Sequence, residues 1–328
     1  MGGGQGATAP LVLLLIALIT DALISGLPGL RQVFAAPMVG FRAIASWFDA
    51  KLNRARRGAV ALRIRGALVA LVIAAIGWGL GTLVADAAGA LPAGWVLTAL
   101  TLVCLLAQRV PIDIARGTAR ALLGGNLATA RADVGALVRY DSEALDAHGV
   151  ARAAIEGLGA RFAGGLVGTV FWFLLAGLPG LVAYRAIAAA ADVLGRPTPL
   201  HGAFGSVCAR LDDALTLIPA MLAGLILALA ALFSPGANPA AALTLWARDL
   251  GERGVHSGFR SEGALAGALG LALGGPRNWD GEVRAGGWIG DGRARIEAAD
   301  VRRAVWLVMV AAVIVFLAVA AALALVTS

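Results

Sequence analysis

FAGGLVGTVFWFLLAGLPGLVAYRAIAAAADVL, residues 162–194, is the stretch that decides the fold. It is apolar over most of its length and is interrupted by Gly177, Pro179 and Gly180. Proline removes a backbone donor from a helix and glycine loosens the turn, so the helical hydrogen-bond ladder is weakened here. The stretch therefore predicts either one kinked membrane span or two half-helices, with a break at Pro179.

The composition of the whole chain is that of an integral membrane protein. Hydrophobic residues make up 59% of the sequence and charged residues only 14%, which is too apolar for a soluble globular protein. Further apolar runs occupy residues 10–25, 67–84, 95–107, 216–233 and 304–326. These runs predict an all-α, polytopic integral membrane helical bundle with about five or six spans. Gly77, Gly79 and Gly81 in the second run are expected to allow close helix packing.

Basic residues cluster between the apolar runs and account for the net charge of +7. Cytoplasmic loops of membrane proteins carry an excess of Lys and Arg. Residues 27–66, 109–161 and 235–302 are therefore predicted to be cytoplasmic helical loops of a single membrane domain, 1–328. The link around Pro92 has no basic residue and, with the N-terminus, is expected on the far side. No nucleic-acid partner is expected, because the Lys and Arg residues lie between apolar runs as in cytoplasmic loops, and no basic stretch alternates with base-stacking aromatic residues in the way that single-strand binders need.

Three segments of these loops have patterns of their own. Residues 41–52 space aromatic residues at helical intervals with charges on the other side, which is typical of a helix on the membrane surface. The mixed charges of 109–161 predict a solvated helical hairpin. Residues 263–275 are too short to cross the hydrocarbon core and predict a re-entrant or buried helix.

Several common catalytic and metal-binding patterns are missing from the sequence. It contains no phosphate-binding P-loop and no nucleophile elbow of the G-x-S-x-G type. His148, His201 and His256 are far apart in sequence, which argues against a zinc site. Cys104 and Cys208 do not form a disulfide framework.

The remaining candidates for chemistry are charged residues at the edges of apolar runs, where they are expensive to keep and often functional. They are Asp141, Glu156, Asp212, Asp213 and Glu262, with Arg152, Arg185 and Arg210. Asp212 and Asp213 have two interpretations. They either cap a helix that begins there or bind Mg²⁺ or substrate.

Several blocks of the sequence together resemble one family of membrane proteins. They are Asp141-Ser142, GVARAAIE ending at Glu156, Phe171-Trp172, GLPGLVAYRA from Gly177, Phe204-Gly205, ARLDD ending at Asp213, Ile218-Pro219-Ala220, Glu262, Ala266 to Gly270, and GGPRNWDG from Gly274. In these blocks the chain resembles the CobD/CbiB family, the adenosylcobinamide-phosphate synthases of cobalamin biosynthesis. The resemblance extends over nearly the whole chain and implies a multi-pass protein of the bacterial plasma (inner) membrane.

The resemblance implies that an aminopropanol, free or phosphorylated, is condensed with a carboxylate of adenosylcobyric acid, using ATP and Mg²⁺. Amide formation requires a carboxylate oxygen to become a leaving group, which ATP can achieve by forming an acyl phosphate. Glu156, Asp212 and Asp213 are the implied catalytic residues, and Asp212 and Asp213 the implied metal ligands. The implied substrate-binding residues are Asp141, Arg152, Tyr184, Arg185, Arg210 and Glu262.

The chain also departs from the family pattern at polar positions. Ala160, Arg161 and Gly164 stand where the family usually has Glu, Asn and Asp, and residues 188–191 are all alanine in place of Asn-Thr-Leu-Asp. Two functions therefore stay open: an active ATP-dependent amide-forming ligase, and a non-catalytic relative that binds a ligand or partner at the membrane. The sequence does not specify an oligomeric state.

Overall fold

The computed structural model describes residues 3–24, 27–54, 58–199, 201–251 and 258–328. The helices are α1 Gly3–Ile24, α2 Pro28–Leu52, α3 Ala59–Ala90, α4 Gly94–Leu105, α5 Arg109–Leu123, α6 Leu127–Gly135, α7 Ala147–Arg161, α8 Gly168–Leu194, α9 Ser206–Ala231, α10 Pro239–Gly251, α11 Gly258–Leu269 and α12 Ala298–Thr327. A π-helical turn, Phe162–Val167, joins α7 to α8. Four short strands lie between α11 and α12: β1 Leu273–Gly274, β2 Arg277–Trp279, β3 Glu282–Arg284 and β4 Trp288–Ile289.

Five helical segments of the described chain are long and apolar enough to cross a membrane. They are Ala59–Ala90, Gly94–Leu123, Ala147–Leu194, Ser206–Ala231 and Ala298–Thr327. The apolar part of α1, Thr8–Ile24, is shorter. The prediction of an all-α bundle with about five or six spans is confirmed, and the five segments indicate a multi-pass membrane protein.

The described residues form two compact units. The first lies within Met1–Leu106, Gly168–Leu215 and Phe316–Ser328, and the second within Ala107–Val167 and Thr216–Val315. Each unit has its own core of buried apolar side chains.

In the first unit, α3 packs along α8 through glycines. A Cβ atom at Gly77 would lie 2.8 Å from Ala183 Cα, and one at Gly81 would lie 2.5 Å from Pro179 Cα. The predicted role in close packing is therefore confirmed for Gly77 and Gly81. It is wrong for Gly79, where an added Cβ would meet nothing within 4 Å.

Helix α8 is broken at Gly177, where φ is 63° and ψ is −160°. Residues with a side chain are strongly disfavoured in this conformation, so only glycine accommodates the break without strain. The predicted break in 162–194 is confirmed, and it lies two residues before Pro179. Residues 162–167 adopt the π-helical turn, a form seen mostly as single turns.

Helix α2 is longer than the predicted surface helix 41–52, because it begins at Pro28. It packs against α4 and α8 in the first unit. Phe41 is 5% exposed and Ala45 is fully buried, whereas Trp47 is exposed. The amphipathic pattern thus places one face of α2 against protein.

In the second unit, α7 is surrounded by α5, α6 and α11. Its residues from Gly149 to Gly159 are almost all buried. The prediction that 109–161 is a solvated hairpin is therefore wrong for α7. The charge content of 109–161 suggested exposure to solvent. In the folded protein the small residues of α7 let other helices pack against it, and the buried Glu156 has polar partners.

The loop 235–302 was predicted to be helical, and its second half is not. The predicted short helix in 263–275 is present as α11 but ends at Leu269, and residues 261–269 are buried. Strands then follow: β1 pairs with β4, and β2 pairs with β3, both antiparallel. Asp280 and Gly281, with φ of 51° and 85°, connect β2 to β3. An Asp-Gly pair with positive φ at both positions is typical of a two-residue hairpin turn.

Helix α9 begins at Ser206, so Asp212 and Asp213 lie inside it. Capping groups belong to the first residues of a helix. The interpretation of these two acids as N-terminal caps is therefore wrong.

Candidate functional site

The carboxylate of Glu156 is the centre of a polar cluster in the second unit. Glu156 lies on α7, one turn before the helix ends, and is 3% exposed. Small neighbours on α7, such as Gly157 and Gly159, leave room for residues of other elements to approach. An ionised carboxylate buried in this way requires donors, since desolvation of an unpaired charge is very costly.

Three donors from other parts of the unit satisfy this carboxylate. The Gly274 amide donates to Oε1 at 2.6 Å. The Tyr140 hydroxyl donates to Oε2 at 2.9 Å, and the Arg277 Nη2 donates to the same oxygen at 3.0 Å. We call Glu156, Tyr140, Gly274 and Arg277 the Glu156 cluster.

Aromatic rings hold the guanidinium of this cluster in place. The Arg277 guanidinium lies 5.1 Å from the centroid of the Tyr140 ring, a cation–π distance. The Tyr140 and Trp279 rings pack in a T-shaped arrangement, with their centroids 6.1 Å apart. The hairpin that carries Arg277 and Trp279 is thereby fixed to the segment before α7.

The electrostatics of the cluster favour a neutral tyrosine and a charged arginine. Burial and the negative charge of Glu156 raise the pKa of Tyr140 well above its usual value, although Arg277 opposes this shift. Burial acts to lower the pKa of Arg277, but the charges of Glu156 and Glu262 outweigh it and raise that pKa. Glu156 and Arg277 therefore form a charged pair with a neutral phenol beside them.

Glu262 supplies a second buried carboxylate next to this pair. It lies on α11, which packs on α7, and is 7% exposed. Its Cγ is 3.9 Å from the position of a Cβ on Gly159. The negative charge of Glu262 acts on both Tyr140 and Arg277. With two carboxylates and one guanidinium, these side chains sum to a net charge of −1.

Asp141 and Arg152 hydrogen-bond to the segment that contains strands β1 to β4, next to the Glu156 cluster. Asp141 accepts a hydrogen bond from the Gly281 amide at 3.2 Å and donates its own amide to the Asn278 carbonyl at 3.0 Å. Arg152 donates to the Ala294 carbonyl at 2.8 Å, and its guanidinium lies 4.9 Å from the Trp288 ring centroid. The structure thus brings four sequence-predicted residues together in the second unit: Asp141, Arg152, Glu156 and Glu262.

The other five sequence-predicted residues lie in the first unit. Tyr184 and Arg185 are buried on α8, and the Tyr184 ring stacks on Trp172 at 5.9 Å. On α9, Asp212 is 8% exposed, Asp213 is partly buried and Arg210 is exposed. The nine predicted residues are therefore distributed over both units.

Mg²⁺, which the resemblance implies, prefers oxygen ligands such as carboxylates. Among the described residues, no three His, Cys, Asp or Glu side chains are grouped as a closed metal site requires. Mg²⁺ bound with a nucleotide needs only one or two protein carboxylates, since phosphate oxygens and water supply the rest. Asp212 and Asp213 are consecutive on α9, so their side chains point to different faces and at most one of them faces any given site. One carboxylate is within the number that a metal held jointly with phosphates needs.

Tyr140 and Arg277 were not identified as functional candidates from the sequence. Tyr140 immediately precedes Asp141, and Arg277 lies within the GGPRNWDG block. Their link to Glu156 joins residues 140, 156 and 277, which no local pattern reveals. The Asp280-Gly281 pair was a usable signal, because it predicts a hairpin that places Arg277 opposite Arg284.

A comparison with known protein families gives a match over nearly the whole chain. The family described as CobD/Cbib protein matches residues 14–308. That range includes every residue of the Glu156 cluster, as well as Glu262, Asp212 and Asp213.

Curated relatives match the chain over most of both lengths. A cobalamin biosynthesis protein CobD from Sinorhizobium sp is 37% identical over 295 residues, which cover 89% of this chain and 91% of the relative. The protein of the same name from Rhizobium meliloti strain 1021 is 36% identical over 318 residues, covering 95% and 96%. The one from Rhodobacter capsulatus is 36% identical over 260 residues, covering 78% and 77%. No solved structure matches the chain.

Proposed function

The chain belongs to the CobD/Cbib family, and from this premise we propose that it acts on a corrinoid in cobalamin biosynthesis. The proposed reaction joins an aminopropanol, or its phosphate, to a carboxylate of adenosylcobyric acid by ATP-dependent amide formation. We further propose that the protein works as a multi-pass protein of the bacterial plasma (inner) membrane. The five apolar segments long enough to span support a membrane location.

One observation supports a chemical role most directly: a charged, buried cluster is maintained inside an otherwise apolar protein. Glu156 and Glu262 are buried in the second unit, and Arg277 pairs with Glu156 at 3.0 Å. Buried ion pairs often contribute little net stability, because desolvation offsets their attraction. A function for the cluster explains why the chain keeps it.

Glu156 and Glu262 are proposed to receive the amine of the aminopropanol. An amine attacks a carboxyl carbon only as the neutral base, so the ammonium form must first lose a proton to an acceptor. The net charge of −1 around Arg277 favours a cationic group such as this ammonium. Glu156 is the proposed catalytic carboxylate, since its three donors keep it in one orientation.

Asp212 and Asp213 are proposed to bind Mg²⁺ together with nucleotide phosphates. When bound, Mg²⁺ would neutralise charge on the phosphates while ATP supplies the phosphoryl group that activates the substrate carboxylate. Arg210, which is exposed on the same helix, is proposed to contact the phosphates. Tyr184 and Arg185 are proposed to bind other polar groups of the substrates.

A second candidate function is supported by the alanine positions on α8. The residues that replace the family's Asn-Thr-Leu-Asp are 188–191, and Ala189, Ala190 and Ala191 are fully buried. No side chain there supplies a ligand oxygen or an amide. This favours, as the alternative, a catalytically degenerate relative that binds a ligand or a partner at the membrane.

Complementation tests the proposed function in cells. A bacterial strain that lacks its adenosylcobinamide-phosphate synthase, and whose growth depends on corrinoid synthesis, would express this chain. We expect growth with the parent chain and with the Glu143→Gln control, because Glu143 is an exposed loop residue. No growth, despite normal membrane insertion of the protein, would favour the non-catalytic alternative.

A further inference from the structure

The β2–β3 hairpin places two arginines directly opposite each other. Arg277 pairs with Arg284 in the antiparallel register, so their side chains lie on the same face. Directly opposed residues have Cβ atoms about 5 Å apart, close enough for one ligand to touch both side chains. Arg277 is 24% exposed and Arg284 39% exposed, so solvent reaches both side chains.

Two like charges in this arrangement oppose hairpin formation. Cross-strand pairs of the same sign are unfavourable. A two-stranded hairpin on its own is only marginally stable in water, so such a pair has to be offset by other contacts. On the Arg277 side the opposition is offset by Glu156 and by the Tyr140 ring. Among the described residues, Arg284 forms an ion pair only with Glu282, at 3.4 Å. The Glu282 side chain is 63% exposed, and an ion pair so exposed to water is weak.

We infer that Arg277 and Arg284 form a binding site for a phosphate group of a substrate. Guanidinium groups carry N–H donors in a planar fork that matches phosphate oxygens, and two adjacent forks can hold one phosphate. Glu156 and Tyr140 hold Arg277 in position before a ligand arrives, which lowers the entropic cost of binding. Arg284 can turn toward the phosphate because its own ion pair is exposed.

This inference rests on the proposed function, because that function supplies two phosphate-bearing substrates. One is the phosphorylated amino alcohol, whose ammonium and phosphate groups have opposite charges. Glu156 and Glu262 lie beside Arg277 and favour an ammonium, while Arg284 extends the positive charge along the hairpin. The other is the nucleotide, which carries phosphates but no ammonium group.

Calorimetric titration of the full chain in lipid nanodiscs tests the site with three probes: aminopropanol phosphate, aminopropanol and ATP. Arg284→Gln should weaken the binding of one phosphate-bearing probe by about tenfold or more, because a charge-assisted hydrogen bond is lost. Arg284→Lys should recover only part of the affinity, since lysine lacks the planar fork. The affinity for aminopropanol should not change.

Arg248→Gln is the matched control. Arg248 is also an exposed arginine of the second unit in an ion pair, with Asp291 at 2.9 Å. Its removal should leave the binding of all three probes unchanged. Arg277→Gln should weaken the same probe as Arg284→Gln. If that variant does not fold because Glu156 loses its partner, Arg284→Gln decides alone, since Arg284 is on the surface.

The probe that loses affinity identifies the source of the phosphate. Equal affinity of parent, Arg284→Gln and Arg248→Gln for both phosphate-bearing probes would overturn the inference, and so would a parent that binds neither. A chain that fails in complementation but binds phosphate through Arg284 would contradict the proposed function alone. A chain that complements and whose KM for both phosphate substrates is unchanged by Arg284→Gln would contradict the phosphate site alone.

Discussion

At the scale of single residues, Glu156 shows how an ionised group is kept inside an apolar protein. It is 3% exposed, and each of its carboxylate oxygens accepts at least one hydrogen bond from the described residues. Its donors come from two separate segments of the chain, residue 140 and residues 274–277. Removing any one donor leaves part of the negative charge uncompensated.

Tyr140 gives this arrangement a spectroscopic signature. Burial and Glu156 raise the pKa of Tyr140 in the folded state above the value of about 10 in an unfolded chain. The stabilisation from this group is therefore fully present below about pH 10 and is lost as the pH rises toward the folded-state pKa. The chain has only two tyrosines, Tyr140 and Tyr184, so each can be followed by tyrosinate absorbance at 295 nm.

We expect no difference in tyrosinate absorbance between the parent and Tyr140→Phe at about pH 10 to 11 while the protein is folded. The difference should appear once the protein is unfolded. A group that titrates near pH 10 in the folded parent and is missing in Tyr140→Phe would contradict the hydrogen bond to Glu156.

The prediction on metal binding concerns Asp212 and Asp213. If they hold Mg²⁺ with a nucleotide, Asp212→Ala and Asp213→Ala should each abolish Mg²⁺-dependent nucleotide binding in calorimetry while membrane insertion and folding persist. Asp291→Ala is a control, since Asp291 is 81% exposed and pairs only with Arg248 among the described residues. Unchanged nucleotide binding in both variants would favour the non-catalytic alternative.

The sequence identifies several residues of the candidate site. It does not identify the residues that each of them contacts in the folded protein. Glu156 and Glu262 were identified because charged residues next to apolar runs are conspicuous. Arg277 is not marked in the same way, because it lies in a glycine-rich block away from the long apolar runs. Its role depends on a contact across 121 positions of the chain, which only the folded structure reveals.

At the scale of elements, helices were predicted well and short strands were not. The break in 162–194 followed from Gly177 and Pro179, since both residues act on the local backbone. Strands of two or three residues give too short a pattern to recognise. The burial of α7 was also missed, because it depends on the helices packed around it.

The glycines of α3 allow a matched test of helix packing. Gly77→Ala should destabilise the protein by about 1 to 3 kcal/mol, because its Cβ would collide with Ala183 on α8. Gly79→Ala should cost little, since nothing lies within 4 Å of an added Cβ. Thermal unfolding of detergent-purified protein measures both. Equal melting temperatures for the two variants would contradict the packing of α3 on α8.

At the scale of the whole molecule, composition was sufficient to predict the class. A chain with 59% hydrophobic residues has to bury its surface in lipid, and five of its helical segments can span a bilayer. The family also followed from blocks spread along the chain, and it is confirmed over residues 14–308. The division into two compact units was not predicted, since no composition change marks it.

The side of the membrane on which each loop lies is predicted from the arginine content of the loops. Single cysteines at Glu143 and Pro92, in a chain with Cys104 and Cys208 replaced by alanine, would report the side of each loop. Both positions are exposed. In intact cells, an impermeant thiol reagent should label Pro92→Cys and leave Glu143→Cys unlabelled until the cells are opened. Labelling of Glu143→Cys from outside would contradict a cytoplasmic 109–161.

The most direct measurement of the central claim is amide formation by the purified chain, followed by mass spectrometry. The reaction contains adenosylcobyric acid, aminopropanol or its phosphate, ATP and Mg²⁺. The parent and Glu143→Gln should give the amide, and Glu156→Gln should be slower by about 100-fold or more, because the neutral side chain cannot act as a base or pair with Arg277. No amide from the parent, or equal rates for the parent and Glu156→Gln, would contradict the claim.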